Sequence, residues 1–282
     1  MKKTLVGFIA LLFLTLTVIP STYAASSKIV IDGTTIVSDV APETKNNRTM
    51  VPLRVISENL GVQVDWSNSI VTLTKDKLTV TLTTKNKNAV IDGTEVKLDA
   101  KPYLKNNRVY VPLRFISETF NSKIDYRNNI VTIDTAPLYI DGVKIKALQE
   151  DYRMTMGGVE QQITGHAYHQ AIYQLFEHNK GNKVEAPAEY SWYSHPNSGS
   201  YYKTRQYNFL DVNGNSVKHF DIYSLVGSQY SEDLKDAPQF LLYDGNEDQW
   251  YLFDGVTIDA IWQLIDSASN NGFLNVISNT VA

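Results

Sequence analysis

The sequence predicts an α+β protein: two tandem small antiparallel sheets, each curled over one helix, then a separate α+β domain with two helices and β-hairpins. Three observations carry this reading. One phrase is written twice, as NNRTMVPLRVISE at 46–58 and NNRVYVPLRFISE at 106–118. Around each copy, short alternating apolar runs are separated by turn dipeptides, the pattern of half-buried strands. Beyond residue 136 the phrase is absent, and longer helical and hairpin patterns follow. The expected segments are a signal peptide at 1–24, a first unit at 25–86, a second unit at 87–136 and an acidic α+β domain at 137–282.

The first segment is a secretory signal by its layout. Lys2 and Lys3 precede an apolar run from Leu5 to Ile19, Pro20 breaks it, and Thr22 and Ala24 stand where a signal peptidase reads. The run is too short to be a stable membrane span, and no later stretch is apolar enough to cross a bilayer. The expectation is cleavage near Ala24 and a chain that is secreted or noncovalently held at the cell wall. The sequence has no cysteine, which excludes a disulfide framework, a thiolate metal site and a cysteine nucleophile. No sortase-type signal is read in the final ISNTVA. Residues 25–136 carry 15 basic and 12 acidic side chains, whereas 137–282 carry 9 and 18. That split fits solvated surface, or a mildly basic half facing an anionic wall polymer. It does not fit nucleic-acid binding, which wants a basic patch interleaved with aromatics.

Each repeated unit is readable element by element. VIDGT at 30–34 returns at 90–94, and Asp-Gly there is a tight-turn signal between short strands. KNNR at 45–48 returns at 105–108, and an Asn-Asn pair tolerates the positive φ of a hairpin turn. RTMVP is the returning strand. Pro52 and Pro112 stand where a helix can begin, because the missing N–H would be unpaired there anyway. Leu53, Ile56 and Leu60 then mark one apolar helical face, and Gly61 ends it. Arg54 and Glu58 lie four apart on this helix, as do Arg114 and Glu118, a spacing at which an exposed pair contributes a few tenths of a kcal/mol. VQVDW, IVTLT and LTVTLTT follow as strands.

VPLR-x-I-x-E, a strand ending in Asp65-Trp66, and IVTL together resemble the copper amine oxidase N-terminal-like domain, also called the stalk domain. The resemblance covers about residues 28–135 as two tandem copies. In the second copy Asn121 replaces the glycine and Tyr126 the tryptophan, which alters local turn geometry. The resemblance implies a spacer or envelope-associated module of a bacterial, Gram-positive exported protein. It implies no copper site and no amine oxidase activity, because the family's lobe is separate from that active site. The residues agree: no histidine or cysteine lies between 25 and 136. The shared letters, Pro52, Arg54, Glu58, Pro112, Arg114 and Glu118, are accordingly read as structural, against the alternative of a shared ligand site at Arg54 and Arg114.

In the unrepeated part, YIDG at 139–142 echoes the turn a third time and reads as a generic hairpin rather than a third degenerate unit. YRMTM reads as a strand, Gly157-Gly158 as a break, and 160–179 as an amphipathic helix bearing Tyr168, Ile172, Leu175 and Phe176 on one face. Residues 201–210 and 216–224 form a hairpin about DVNGN, and QFLLYDGNEDQWYLFD forms a second. Thr257 is the expected cap of a last helix, stopped by Asn271-Gly272.

Candidate chemistry is sparse. His166 and His169, three apart, lack a third metal ligand and read as solvent-exposed; no metal and no cofactor is expected. DGNEDQ at 244–249 spaces acids like a calcium loop but lacks the loop's glycine and its closing glutamate, so it reads as a turn. No nucleophile elbow, zinc helix, serine-lysine signature or phosphate-cradling loop is present. Tyr190, Trp192, Tyr193, Tyr201 and Tyr202 flank a polar loop and could stack on a sugar or grip a peptide, or else turn into the core. The expected function is noncatalytic: tandem modules present a C-terminal domain that binds a cell-wall polymer or another envelope protein. The alternative is a cell-wall glycan or peptide hydrolase acting through that domain. A protein inhibitor or a plain spacer is the third class.

Overall fold

The computed structural model describes residues 28–75, 77–120, 122–154, 157–192, 200–227 and 236–281; the signal segment and Tyr193 lie outside them. The first copy of the repeat gives β1 (Lys28–Ile31), β2 (Thr34–Thr35), β3 (Glu43–Lys45), β4 (Arg48–Pro52), α1 (Leu53–Asn59), β5 (Gln63–Ser67), β6 (Ile70–Lys75) and β7 (Leu78–Thr83). The second gives β8 (Asn88–Ile91), β9 (Thr94–Lys97), β10 (Tyr103–Lys105), β11 (Arg108–Pro112), α2 (Leu113–Thr119), β12 (Lys123–Arg127) and β13 (Ile130–Asp134). The protein is mixed α+β and mostly sheet.

Local signals hold closely. Asn46 and Asn47, and again Asn106 and Asn107, take positive φ between 48° and 60°, which closes the two hairpins. Pro52 and Pro112 keep extended backbone as the last strand residues and stand one position before their helices. Leu53, Ile56 and Leu60 are buried. Gly61, at φ +71°, carries the chain past the end of α1, and a Cβ there would also meet Ala167 at 3.6 Å.

The copies do not build one sheet each. Hairpin β1–β2 of the first copy leaves its own strands and joins those of the second, in the order β12-β13-β1-β2, with β1 parallel to β13. Hairpin β8–β9 of the second copy completes the sheet of the first, in the order β5-β6-β7-β8-β9. A third sheet, β10-β11-β4-β3, is shared equally. At its centre Val51 faces Val111, Met50 faces Pro112 and Pro52 faces Tyr110, so a local two-fold passes between the two valines. The expectation of one sheet curled over each helix is therefore corrected: each of these three sheets draws strands from both copies. The reason is visible at the end of the second copy. A strand corresponding to β7 would begin near Pro137, which cannot donate to a ladder, and β1 fills that place beside β13. Ile29 and Ile31 thereby bury against a sheet whose Val131 and Ile133 are also buried.

The aspartate of each IDG turn locks this exchange. Asp92 accepts a hydrogen bond from Thr79 N at 2.8 Å, and Asp32 accepts one from Thr135 N at 2.8 Å.

After a small hairpin, β14 (Tyr139–Ile140) and β15 (Val143–Lys144), come β16 (Ala147–Met154), β17 (Gly157–Ile163), α3 (His166–His178), β18 (Lys183–Val184), β19 (Tyr190–Ser191), β20 (Tyr201–Leu210), β21 (Ser216–Leu225), β22 (Phe240–Asp244), β23 (Gln249–Phe253), α4 (Gly255–Asn270) and β24 (Leu274–Asn279). They form a nine-stranded sheet in the order β18-β23-β22-β21-β20-β16-β17-β24, with β19 parallel to β20. Helices α3 and α4 bury Ile172, Phe176, Ile261 and Ile265 in the same continuous core that the repeat's valines and isoleucines enter. Residues 160–163, expected as helix, are strand instead, paired on both sides by β16 and β24. Gly157 is required where that strand starts, since a Cβ would lie 2.2 Å from Thr280 O. Asp254, not Thr257, is the cap of α4, and its carboxylate accepts from Thr257 N at 2.8 Å.

Candidate functional site: two grooves made by the repeat

The exchange of strands brings repeated letters from different copies together. A cleft of about 590 Å³ opens beside α1. Arg54, Glu58, Val64 and Trp66 come from the first copy, and Leu104, Asn107, Arg108 and Val109 from the second. A second cleft of about 380 Å³ opens beside α2. There Arg114, Glu118, Ile124 and Tyr126 meet Asn47, Arg48 and Thr49 of the first copy. These are the same positions sixty residues apart, so the local two-fold relates one groove to the other.

The chemistry of the two grooves matches group by group. Each has an exposed aromatic ring on an edge strand, Trp66 at 42% and Tyr126 at 38% exposure. Each has an arginine presented by the Asn-Asn turn of the other copy and held by an aspartate: Arg108 to Asp39 at 2.6 Å, Arg48 to Asp99 at 2.8 Å. Each has the arginine and glutamate of the helix, with Arg54 Nε 3.8 Å from Glu58. Burial pushes the Glu58 carboxyl above its usual range despite the pull of Arg54. Arginine, glutamate and asparagine present planar, directional donors and acceptors around an apolar floor of Leu53, Val55 and Val71. Arg54, Glu58, Arg114 and Glu118 thus border cavities as well as shaping helices. Trp66, Tyr126, Arg48 and Arg108 went unnoticed as site residues. Their signal was repetition at positions that face solvent, where packing makes no demand.

The aromatic stretch of the unrepeated part is placed differently. Tyr201 is buried and its hydroxyl donates to Pro238 O at 2.7 Å. Tyr202 donates to Arg153 O at 3.0 Å. Tyr190 remains half exposed, edge-on to Trp250 and Tyr223 at 5.1 and 5.8 Å between ring centres. Trp192 has Lys203 Nζ 4.3 Å above its ring. These rings serve a packed cluster and cation contacts, with about half of Tyr190 left to solvent.

The histidines are not solvent-exposed as expected. His169 is fully buried; its Nε2 donates to Ile163 O at 2.7 Å, and desolvation pushes its pKa down to about 4. His166 Nδ1 lies 3.2 Å from Asp32, whose carboxylate also accepts the His166 backbone N–H at 3.1 Å. Burial would raise the Asp32 pKa, but hydrogen bonds from His166 and Thr135 outweigh it and hold the carboxyl below its usual range. Asp244 in the calcium-like loop is likewise occupied by protein: its Oδ2 accepts from Lys180 and Lys218, each at 2.6 Å, and its Oδ1 from Asn246 N at 3.1 Å. Among the described residues no group of three or more metal-ligating side chains is assembled. No described helix is long and apolar enough to cross a membrane.

A Brevibacillus choshinensis protein with the printed name "Protease inhibitor" is 28% identical over 134 residues. The match spans 42% of this chain and about a third, 36%, of that protein. Residues 25–135, which line both grooves apart from Asn271, match the family model described as the copper amine oxidase N-terminal domain.

Proposed function

We propose that this chain is a noncatalytic, exported protein of a Gram-positive cell envelope whose duplicated half is the binding unit. Each copy is one stalk-like unit, and the two work only as an interleaved pair. The unrepeated domain is a stiff platform behind them. The observation that carries this reading is the reuse of one set of exposed letters in two grooves. Packing accounts for Leu53, Ile56 and Val51, but not for an exposed aromatic ring, an arginine–aspartate clamp and a helix arginine placed alike in both. This departs from the expectation that the repeat is a spacer and the C-terminal domain the binder. The absence of histidine and cysteine from 25–136 supports a role without copper.

The test is co-sedimentation of the secreted chain with purified bacterial walls. Pelleting that Trp66→Ala together with Tyr126→Ala abolishes, while the fold is retained, supports the reading. Progressive clearing of wall turbidity would replace it with the hydrolase alternative. A second reading rests on the similarity to a protein named as a protease inhibitor. It expects stoichiometric loss of activity when the chain is titrated into secreted endopeptidases, with no wall pelleting.

A further inference from the structure

We infer that the two grooves are two sites for the same ligand, a neutral glycan strand, and that one chain therefore bridges two strands. The inference rests on the binding role proposed for the repeat and adds the ligand class and the valency.

The ligand class follows from the chemistry of the walls. A sugar ring offers an apolar face of C–H groups and an equatorial belt of hydroxyls. Trp66 and Tyr126 supply half-exposed aromatic faces for the first. Arg54 with Glu58, and Arg114 with Glu118, supply planar polar groups beside the ring for the second. Charge narrows the choice. Each groove holds two arginines and two carboxylates, Asp39 and Glu58 in one, Asp99 and Glu118 in the other. With Arg108 and Arg48 already clamped by their aspartates, neither groove presents the cationic excess that a phosphate-rich polyanion requires. A neutral or N-acetylated saccharide fits without leaving a buried charge unpaired.

The valency follows from the symmetry. The axis between Val51 and Val111 passes through an antiparallel pair and stands normal to that sheet. Such an axis reverses every direction lying in the sheet plane. A strand with two different ends, lying in that plane along one groove, would have to turn back to lie in the other with the same polarity. Two separate strands meet the two sites without that bend. The two sites differ at several lining positions: Trp66 stands against Tyr126, Val109 against Thr49, and Asn271 of the unrepeated half lines the α1 groove; the larger ring lies in the larger cleft. The α1 groove is the tighter of the two.

Titration of the secreted chain with a tetrasaccharide of N-acetylglucosamine tests this. The expected result is two bound per chain, falling to one in Trp66→Ala and one in Tyr126→Ala, with the site that Tyr126→Ala leaves being several-fold tighter than the site that Trp66→Ala leaves. Long soluble glycan strands mixed with the wild-type chain should scatter light as they cross-link, and neither single variant should cross-link them although each still binds. Denaturant unfolding of the variants guards against loss of fold. One ligand per chain, or scattering unchanged in the single variants, overturns the bridging. Wall pelleting that persists without any tetrasaccharide binding, and that a poly(glycerol phosphate) or a wall peptide competes away, overturns the ligand class while leaving the binding role standing. No pelleting at all removes the binding role itself.

Discussion

The duplicated half and the unrepeated half treat polar side chains in opposite ways. In the duplicated half the arginines and glutamates of the repeated helices and turns stand at the surface around open grooves, and apart from Asp32 at the seam the interior is mostly aliphatic. In the unrepeated half charges go inside: Asp244, Asp221 and Glu150 are buried, and Lys180 and Lys218 reach in to meet Asp244. The difference separates two uses of a charge. A buried, fully partnered ion pair fixes one packing and is occupied by the protein itself. A half-exposed one keeps donors and acceptors free for something else. The half that looks like filler by composition carries both of these grooves.

The sharpest way to break this comparison is to separate the copies. A fragment of residues 25–86 would keep β6 and β7 but lose β13, against which β1 packs, and β8, which covers β7. Burying an aliphatic side chain contributes about 2 kcal/mol, and at least Ile29, Ile31, Val80 and Leu82 lose cover. Against a net stability of about 5–15 kcal/mol for a whole domain, that loss is decisive. The fragment should show no cooperative unfolding by circular dichroism. A cooperative transition would restore the picture of two self-sufficient units.

The next effect lies in the buried charges. Asp244→Ala leaves two ammonium groups facing each other with Glu177 and Glu247 as their remaining partners. Removing one member of a buried pair costs about 3–5 kcal/mol, and the surviving glutamates put this case at the low end. The denaturant midpoint should fall with an unchanged slope, and glycan binding by the grooves should not move. Loss of binding in a variant that still folds would mean that the two halves are coupled.

Acid probes the seam between the halves. His169 is neutral in the fold, with a pKa of about 4 against 6.5 when unfolded, so its contribution is full above pH 6.5. Between pH 6.5 and 4 the unfolded chain takes up the proton and the folded one does not, which removes roughly 3 kcal/mol over that range. The depressed Asp32 carboxyl acts in the same direction at lower pH: its contribution is present above about 3.8 and lost as pH falls through the folded value. Unfolding free energy measured from pH 7 to 4 should decline, and His169→Phe should flatten that decline.

Much of this was legible in local letters. Asn46-Asn47, Gly61, Gly214 and Gly272 set their turns and stops through positive φ, and the Asp211 carboxylate and Asn271 amide add side-chain hydrogen bonds to theirs. What was not legible depends on choosing between near-identical partners. β1 could have paired with β6 or β13, since both carry Ile-Val-Thr, and only the whole fold decides. The grooves inherit that ambiguity, because Arg108 reaches Asp39 only once the copies interleave. Residues 160–163 misled for another reason. A short mixed segment fits both the helical and the strand period, and sheet pairing on two sides settles it.

The smallest expected effect is the most discriminating between charge as structure and charge as site. Arg108 and Asp39 meet in the open, both substantially exposed, so their pair contributes about 0.2–1 kcal/mol and less in high salt. Arg108→Ala should therefore barely shift the unfolding midpoint. If the clamp exists to aim a donor into the groove, the same variant should weaken the α1 site several-fold while leaving the α2 site untouched, and Arg48→Ala should do the reverse. Because each arginine lies on the copy opposite the helix whose groove it enters, this crossed pattern follows only from interleaved copies. Two side-by-side units would give the uncrossed one, with each arginine affecting the groove of its own helix.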